Sequence, residues 1–247
     1  MRTLTVEALV LRRWDVGEMD RMVSMFTRER GKLRAVAKGA RKSASKLAGV
    51  TEPGACYRVH LAMGRKVFYV TQAEPRTSFP PIRKEYRRLM ACLAFLETVD
   101  HLLPEAEPAP EVFDLALKAL EGISLSKEPL GALAWADLRL MELSGFAPEF
   151  RVSVLSGKPL RGERRWLSPR AGGAVNEEEK EGAEDRFPVR REVAIALAKL
   201  QERAEPPDYL QYAPEVTMAL LSFWQEFIGH FLPARQVLRE SLMVNQK

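Results

Sequence analysis

From Leu4 to Arg12, and again from Arg21 to Thr27, apolar and polar residues alternate imperfectly with the period of two that a half-buried strand imposes. Lys32 to Ala37 repeats the pattern after Gly31, which supplies a tight turn. Tyr57 to Met63 sets Tyr, Val, Leu and Met against Arg, His and Ala, and Gly64-Arg65-Lys66 then turns the chain into Val67 to Ala73. Short strands joined mostly by Gly-containing turns, with one longer excursion before Tyr57, suit a five-stranded OB-fold β-barrel. The pattern alone leaves an SH3-like barrel open.

Past Ser78-Phe79-Pro80-Pro81 the period changes to three and four. Leu89, Leu93, Leu96, Val99 and Leu103 mark one amphipathic helix, and Val112, Leu115, Ala119 and Ile123 mark the next. A third, Leu130 to Leu143, stops at Ser144-Gly145, where glycine suits the C-terminal cap. Residues 150–187 are irregular, carry Gly157, Gly162, Gly172 and Gly173 ahead of the acidic run NEEEKEGAED, and so are read as an inserted minidomain. Helices resume at Arg190 to Arg203 and Pro214 to Phe231, and Pro233 opens a last turn or short helix. The expected class is multidomain α+β, divided as a barrel over 1–80, a helical bundle over 81–149 and 189–247, and an insertion over 150–188.

Charge changes this picture from architecture to partner. Residues 1–80 hold 16 Lys and Arg against 7 Asp and Glu, whereas the remainder holds 22 against 26. A positive field confined to one segment points to an anionic polymer. The excursion from Lys38 to Gly54 concentrates it, with Lys38, Arg41, Lys42 and Lys46 among small residues, and it reads as a flexible basic loop that contacts phosphates. Arg12, Arg13, Arg65 and Lys66 add to the same surface. Aromatic residues stand beside these cations: Phe26 and Phe68 are expected in the core, while Tyr57, Tyr69 and Trp14 are the candidates for stacking on bases.

Nothing in the sequence points to catalysis. His60, His101 and His230 stand singly, GARKSASK lacks the spacing of a phosphate-gripping loop, and Asp15, Glu18 and Asp20 form a solvated turn. Cys56 and Cys92 lie far apart and read as small buried hydrophobes. No run approaches the ~18 apolar residues of a membrane span, and charges interrupt the N-terminus before a signal sequence can form, so a cytoplasmic, nucleoid-associated protein is expected. A metal-dependent hydrolase fails for want of a carboxylate or histidine cluster. The remaining alternative is an adaptor whose bundle binds a partner peptide.

The stretch EALVLRRWDVGEMDRMVSMFTRERGKLRAVAKGARKSASKL, with its GE-x-D-R turn and AKGARK loop, resembles the N-terminus of the bacterial RecO family. GRKVFYVTQAE, ELSGFAPEF and LSPRAGGAV carry the likeness along the rest of the chain. The resemblance implies an N-terminal OB-fold, a helical domain and a small zinc-ribbon-like insertion. It also implies a non-enzymatic mediator without a cofactor that binds single- and double-stranded DNA, anneals complementary strands and, with RecR, helps load RecA onto DNA coated with single-strand-binding protein.

The resemblance further implies contact with the C-terminal tail of that single-strand-binding protein, for which Arg139 and Arg235 are candidates. Arg161, Arg164, Arg165 and Arg170 would extend the DNA surface if the insertion lay beside the barrel. One departure matters. Where many members of the family carry two CxxC pairs, this chain has Ser153, Ser156, Asn176 and Glu179, which lack the soft, deprotonated donors zinc prefers. A ribbon-shaped insertion without metal is expected.

Overall fold

The computed structural model describes residues 3–244. Strands β1 (Thr3–Val16), β2 (Asp20–Thr27), β3 (Gly31–Ala37), β4 (Cys56–Met63) and β5 (Phe68–Thr77) close into a barrel in the order β1-β2-β3-β5-β4. The pairs are antiparallel except β3 with β5, where Ala35 lies opposite Phe68 and Val36 opposite Tyr69. This is the OB-like arrangement of the two that the sequence pattern allowed.

The barrel interior holds Val6, Ala8, Val23, Met25, Leu33, Ala35, Val59, Leu61 and Val70. Its outer surface is also partly apolar. Leu9, Leu11, Phe26 and Cys56 face away from the barrel and join the core of the helical region, where Phe26 meets Phe113 edge-on at 5.4 Å. Burial of this kind is worth ~1.5–3 kcal/mol for each large side chain, so barrel and helices are held as one body. Burial also pushes the thiols of Cys56 and Cys92 up to about 12, in keeping with inert packing residues.

The helices are α1 (Pro80–Lys84), α2 (Tyr86–Leu102), α3 (Pro110–Leu125) and α4 (Pro129–Leu143). A proline opens three of them, at the position where a missing N–H costs nothing. Helix α4 is buried on nearly all sides, which its run LGALAWADL anticipates. A three-stranded sheet then interrupts the bundle: β6 (Arg164–Ser168), β7 (Gly173–Val175) and β8 (Phe187–Arg190), in the order β7-β6-β8. Helices α5 (Arg191–Gln201), α6 (Ala213–Ile228) and α7 (Pro233–Val244) complete the bundle. The C-terminal segment is therefore a full helix packed on α2, longer than its sequence pattern suggested. Among the described residues no group of three or more His, Cys, Asp or Glu could hold a metal ion, and no helix is long and apolar enough to cross a membrane.

The end of α2 and its connection to α3 pin the barrel. Ala106 N donates to Lys32 O at 2.9 Å, Arg34 pairs with Glu105 at 2.9 Å, and Ser24 donates to Asp100 at 2.6 Å. Gly31 permits this approach: it has φ +66°, and a Cβ there would lie 2.0 Å from the carbonyl oxygen of Glu107. Gly31→Ala should therefore cost ~3 kcal/mol, from the left-handed backbone and the overlap together. Urea unfolding of the full chain checks this; an unchanged midpoint would show that the connection yields without cost.

Candidate nucleic-acid interface

A β-bulge on β1 decides which side chains the barrel offers to a ligand. Leu9 pairs with Phe26 and Val10 with Met25, but the register then shifts so that Arg12 pairs with Ser24 and Trp14 with Met22. Leu11 is the extra residue. Strict alternation would have sent Arg12 and Trp14 inward and Arg13 outward. The bulge reverses that phase.

The outer face is consequently laid out in rows across neighbouring strands. One row runs Arg12, Ser24, Arg34, and the next runs Trp14, Met22, Val36, Tyr69. Arg12 and Arg34 are exposed, and both guanidiniums lie over the Trp14 ring, at 5.7 and 6.0 Å from its centroid. Lys38 Nζ stands 4.9 Å from the Tyr69 ring at the other end of the second row. Gly64 is needed here, since a Cβ would come within 2.6 Å of that ring. The β4–β5 turn that Gly64 opens carries Arg65 and Lys66, both exposed.

The excursion after β3 is anchored, which corrects its reading as flexible. Ala40, Leu47 and Val50 pack on the barrel interior, Gly39 N donates to Asp20 at 2.7 Å, and a chain of turns joins Lys42, Ser45 and Ala48. Lys38, Lys42 and Lys46 remain exposed, and none of them forms an ion pair among the described residues. Arg41 is exposed too, but it pairs with Asp15 at 3.4 Å and donates to Gly17 O at 3.0 Å.

Two candidates on the barrel are committed elsewhere. Arg13 follows the inward phase and pairs with Glu52, beside Arg21, so it closes the end of the barrel. Tyr57 packs its ring on the barrel core, donates its hydroxyl to Gly49 O at 3.1 Å and has its phenol pKa raised by burial; it is not a stacking platform. Arg34, conversely, went unnoticed in the sequence. Its even spacing from Lys32, Val36 and Lys38 on one strand was the signal that could have found it.

A cleft of about 730 Å³ separates this face from the helices, with Arg12, Trp14, Lys32 and Arg34 on one wall and Asp100 and His101 on the other. The acidic wall is satisfied within the protein, because Asp100 accepts from Ser24 and lies 3.9 Å from Lys32, while Glu97 accepts from Ala234 N. Arg12 and Trp14 thus keep a face toward the cleft.

The description "Recombination protein O N terminal" matches residues 1–79, and "Recombination protein O C terminal" matches residues 83–233. The chain belongs to the RecO family. Proteins named DNA repair protein RecO are similar to it: that of Nocardioides sp. is 37% identical over 176 residues, covering 68% of this chain and 71% of that protein. That of Cutibacterium acnes is 36% identical over 182 residues, covering 71% and 73%, and that of Rubrobacter xylanophilus 33% over 201 residues, covering 81% and 79%. As a RecO-family member the chain is a non-enzymatic recombination mediator.

Outside the barrel, several arginines expected at the surface of this RecO-family chain have other duties. Arg235 is 1% exposed: it forms a bidentate pair with Asp137 at 2.6 and 3.0 Å, donates to Thr98 and lies over Trp224 at 5.1 Å. It joins α7 to α2 and α4 and cannot meet a tail. Arg139 pairs with Glu142 and donates to the carbonyl of Gln201. In the insertion, Arg165 is buried and caps the carbonyls of Leu160, Arg161 and Gly162, and Arg170 pairs with Glu226. Arg161 and Arg164 are exposed, but the insertion rests on α5 while the barrel rests on α2.

Removing one partner of a buried pair leaves the other charge stranded. Arg235→Ala should destabilise the chain by ~3–5 kcal/mol, read as a lowered denaturation midpoint. A midpoint within experimental error of the native chain would mean that Asp137 is not held as described.

Proposed function

We propose that the outer face of the barrel binds DNA and that the chain anneals complementary strands without ATP. With RecR it would help load RecA onto DNA coated with single-strand-binding protein. The observation that supports this best is Trp14, which lies beneath two guanidiniums and in one row with Tyr69 under Lys38. Such an array offers bases a flat apolar partner and phosphates a cation at each end. Lys42, Lys46, Arg65 and Lys66 on the flanking loops would hold the backbone of either a single strand or a duplex, and Arg41 would join them by leaving Asp15.

Two consequences separate stacking from charge. Trp14→Ala should weaken single-strand binding by ~1–3 kcal/mol and leave duplex binding nearly unchanged. Reversing Lys38, Lys42 and Lys46 together should weaken both, with a logarithmic salt slope shallower by ~2–3 units. Fluorescence anisotropy with labelled oligonucleotides between low and moderate salt reads both effects. Native affinity and annealing in the triple reversal would remove the loop from the contact surface.

A second activity, holding an acidic tail with an aromatic end, is favoured by a different surface. A groove of about 360 Å³ beside α5 is lined by the apolar Ile195, Leu200, Tyr209 and Leu210 together with the cations Lys199 and Arg203. That combination supplies the apolar and cationic partners such a tail needs. It replaces Arg139 and Arg235 in the proposal. Lys199→Glu should weaken binding of an acidic peptide ending in Phe ~10-fold without altering oligonucleotide affinity; equal binding would discard the groove.

A further inference from the structure

Two arms of the insertion meet at one point, and a zinc-ribbon reading of this family member has to be tested there. Residues 152–159 form a tight hairpin in which Ser153 N donates to Lys158 O at 2.8 Å and Gly157 N, at φ +71°, donates to Ser153 O at 2.7 Å. The second arm is a 3-10 turn, Glu177–Gly182, entered through Asn176, with Glu179 N donating to Asn176 O at 3.0 Å. Ser153-x-x-Ser156-Gly157 and Asn176-x-x-Glu179 have the two-residue spacing of paired metal knuckles.

Two of the four side chains bond each other across the arms, and a third bonds backbone at the far end of the first arm. Ser153 donates to the Glu179 carboxylate at 2.5 Å, and the Ser156 hydroxyl accepts from Lys158 N at 3.4 Å within the first arm. Asn176 accepts from Arg161 N at 2.9 Å and donates to Pro159 O at 3.3 Å, so it ties the far end of the first arm. Ser153 and Asn176 are buried, at 0% and 1% exposure. As zinc ligands, however, they fail: the set is two neutral hydroxyls, an amide and one carboxylate that already accepts from Ser153.

We propose that this polar knot replaces a metal: the Glu179 carboxylate, held by Ser153, and the Asn176 amide, clasped by the first arm, lock the insertion closed. The Ser153 hydroxyl holds the Glu179 carboxyl below the usual carboxylate range, with the nearby charge of Lys158 acting in the same direction. The knot keeps the sheet in place through adjoining backbone bonds. Val154 N donates to Ala174 O at 2.9 Å, Ala174 N donates to Glu149 O at 2.8 Å, and Gly173 lies so close that a Cβ would meet Glu149 O at 2.2 Å. This inference stands apart from the DNA reading, since none of these residues is on the barrel.

Hydrogen exchange on the full chain tests it. Glu179→Ala should speed exchange at the amides of Val154 and Ala174 at least ~10-fold, as expected when a charge-assisted hydrogen bond is lost, while barrel amides keep their rates. Glu179→Gln should fall between, and prolonged chelator treatment of the native chain should change nothing. Unaltered protection in Glu179→Ala, or protection lost to the chelator, would overturn the proposal. Its geometric half has a separate readout: the full chain carrying S153C, S156C, N176C and E179C should bind one cobalt ion with tetrahedral thiolate absorption, displaceable by zinc. A folded quadruple variant that binds none would show that the four positions do not share a centre.

Discussion

Strands β1 and β2 must bury both faces over part of their length, and the remaining architecture follows from that demand. Their inner face fills the barrel, with Val6, Ala8, Val23 and Met25 in its core. Their outer face carries Leu9, Leu11 and Phe26, which only the helices can cover. The helical region is thus the second wall of the barrel's own strands. The bulge at Leu11 marks where this double burial ends, and the next outward positions on β1 are Arg12 and Trp14. The point at which the strand stops packing is the point at which it can begin to bind.

Counting cations overstates what a polyanion would meet. Of the positive groups in the first 80 residues, Arg13, Arg21 and Arg28 are held by carboxylates, and Lys32 reaches across to Asp100. These contacts close the barrel's end or fix it to α2 and α3. Arg12, Lys38, Lys42, Lys46, Arg65 and Lys66 lie outside such pairs among the described residues. The electrostatic work is divided: one set of cations gives the domain its attitude, and another is left for phosphates. Exposed pairs of the first kind contribute little singly, ~0–1 kcal/mol, so their value lies in orientation.

Much of the fold was legible because period and turn chemistry act locally. The five strands, the change to helical spacing after Pro80-Pro81 and the irregular insertion all answer to signals within a few residues of each element. The details that escaped are those set at a distance. A one-residue bulge cannot be read from LVLRRW, yet it interchanges Arg13 with its neighbours. The anchoring of the Lys38 excursion depends on Leu47 and Val50 reaching the barrel interior. Arg235 looks like a surface residue in PARQVLRESL until Asp137, 98 positions earlier, is placed beside it. Ser153, Ser156, Asn176 and Glu179 were legible as lacking zinc donors, whereas the bond between Ser153 and Glu179 and the tie of Asn176 to the first arm were matters of tertiary structure.

The buried pair between Arg235 and Asp137 also orders events in time. Barrel strands are complete once residue 77 has emerged from a ribosome, and they can close while synthesis continues. Asp137, by contrast, sits at 0% exposure in the middle of α4, and the guanidinium that neutralises it arrives only with the final helix. Without Arg235 that carboxylate has no counter-charge and the bundle has a charged gap at its heart. The helical half therefore depends on a charge pair 98 positions apart in sequence, whereas the strands that carry the basic face all lie within residues 3–77.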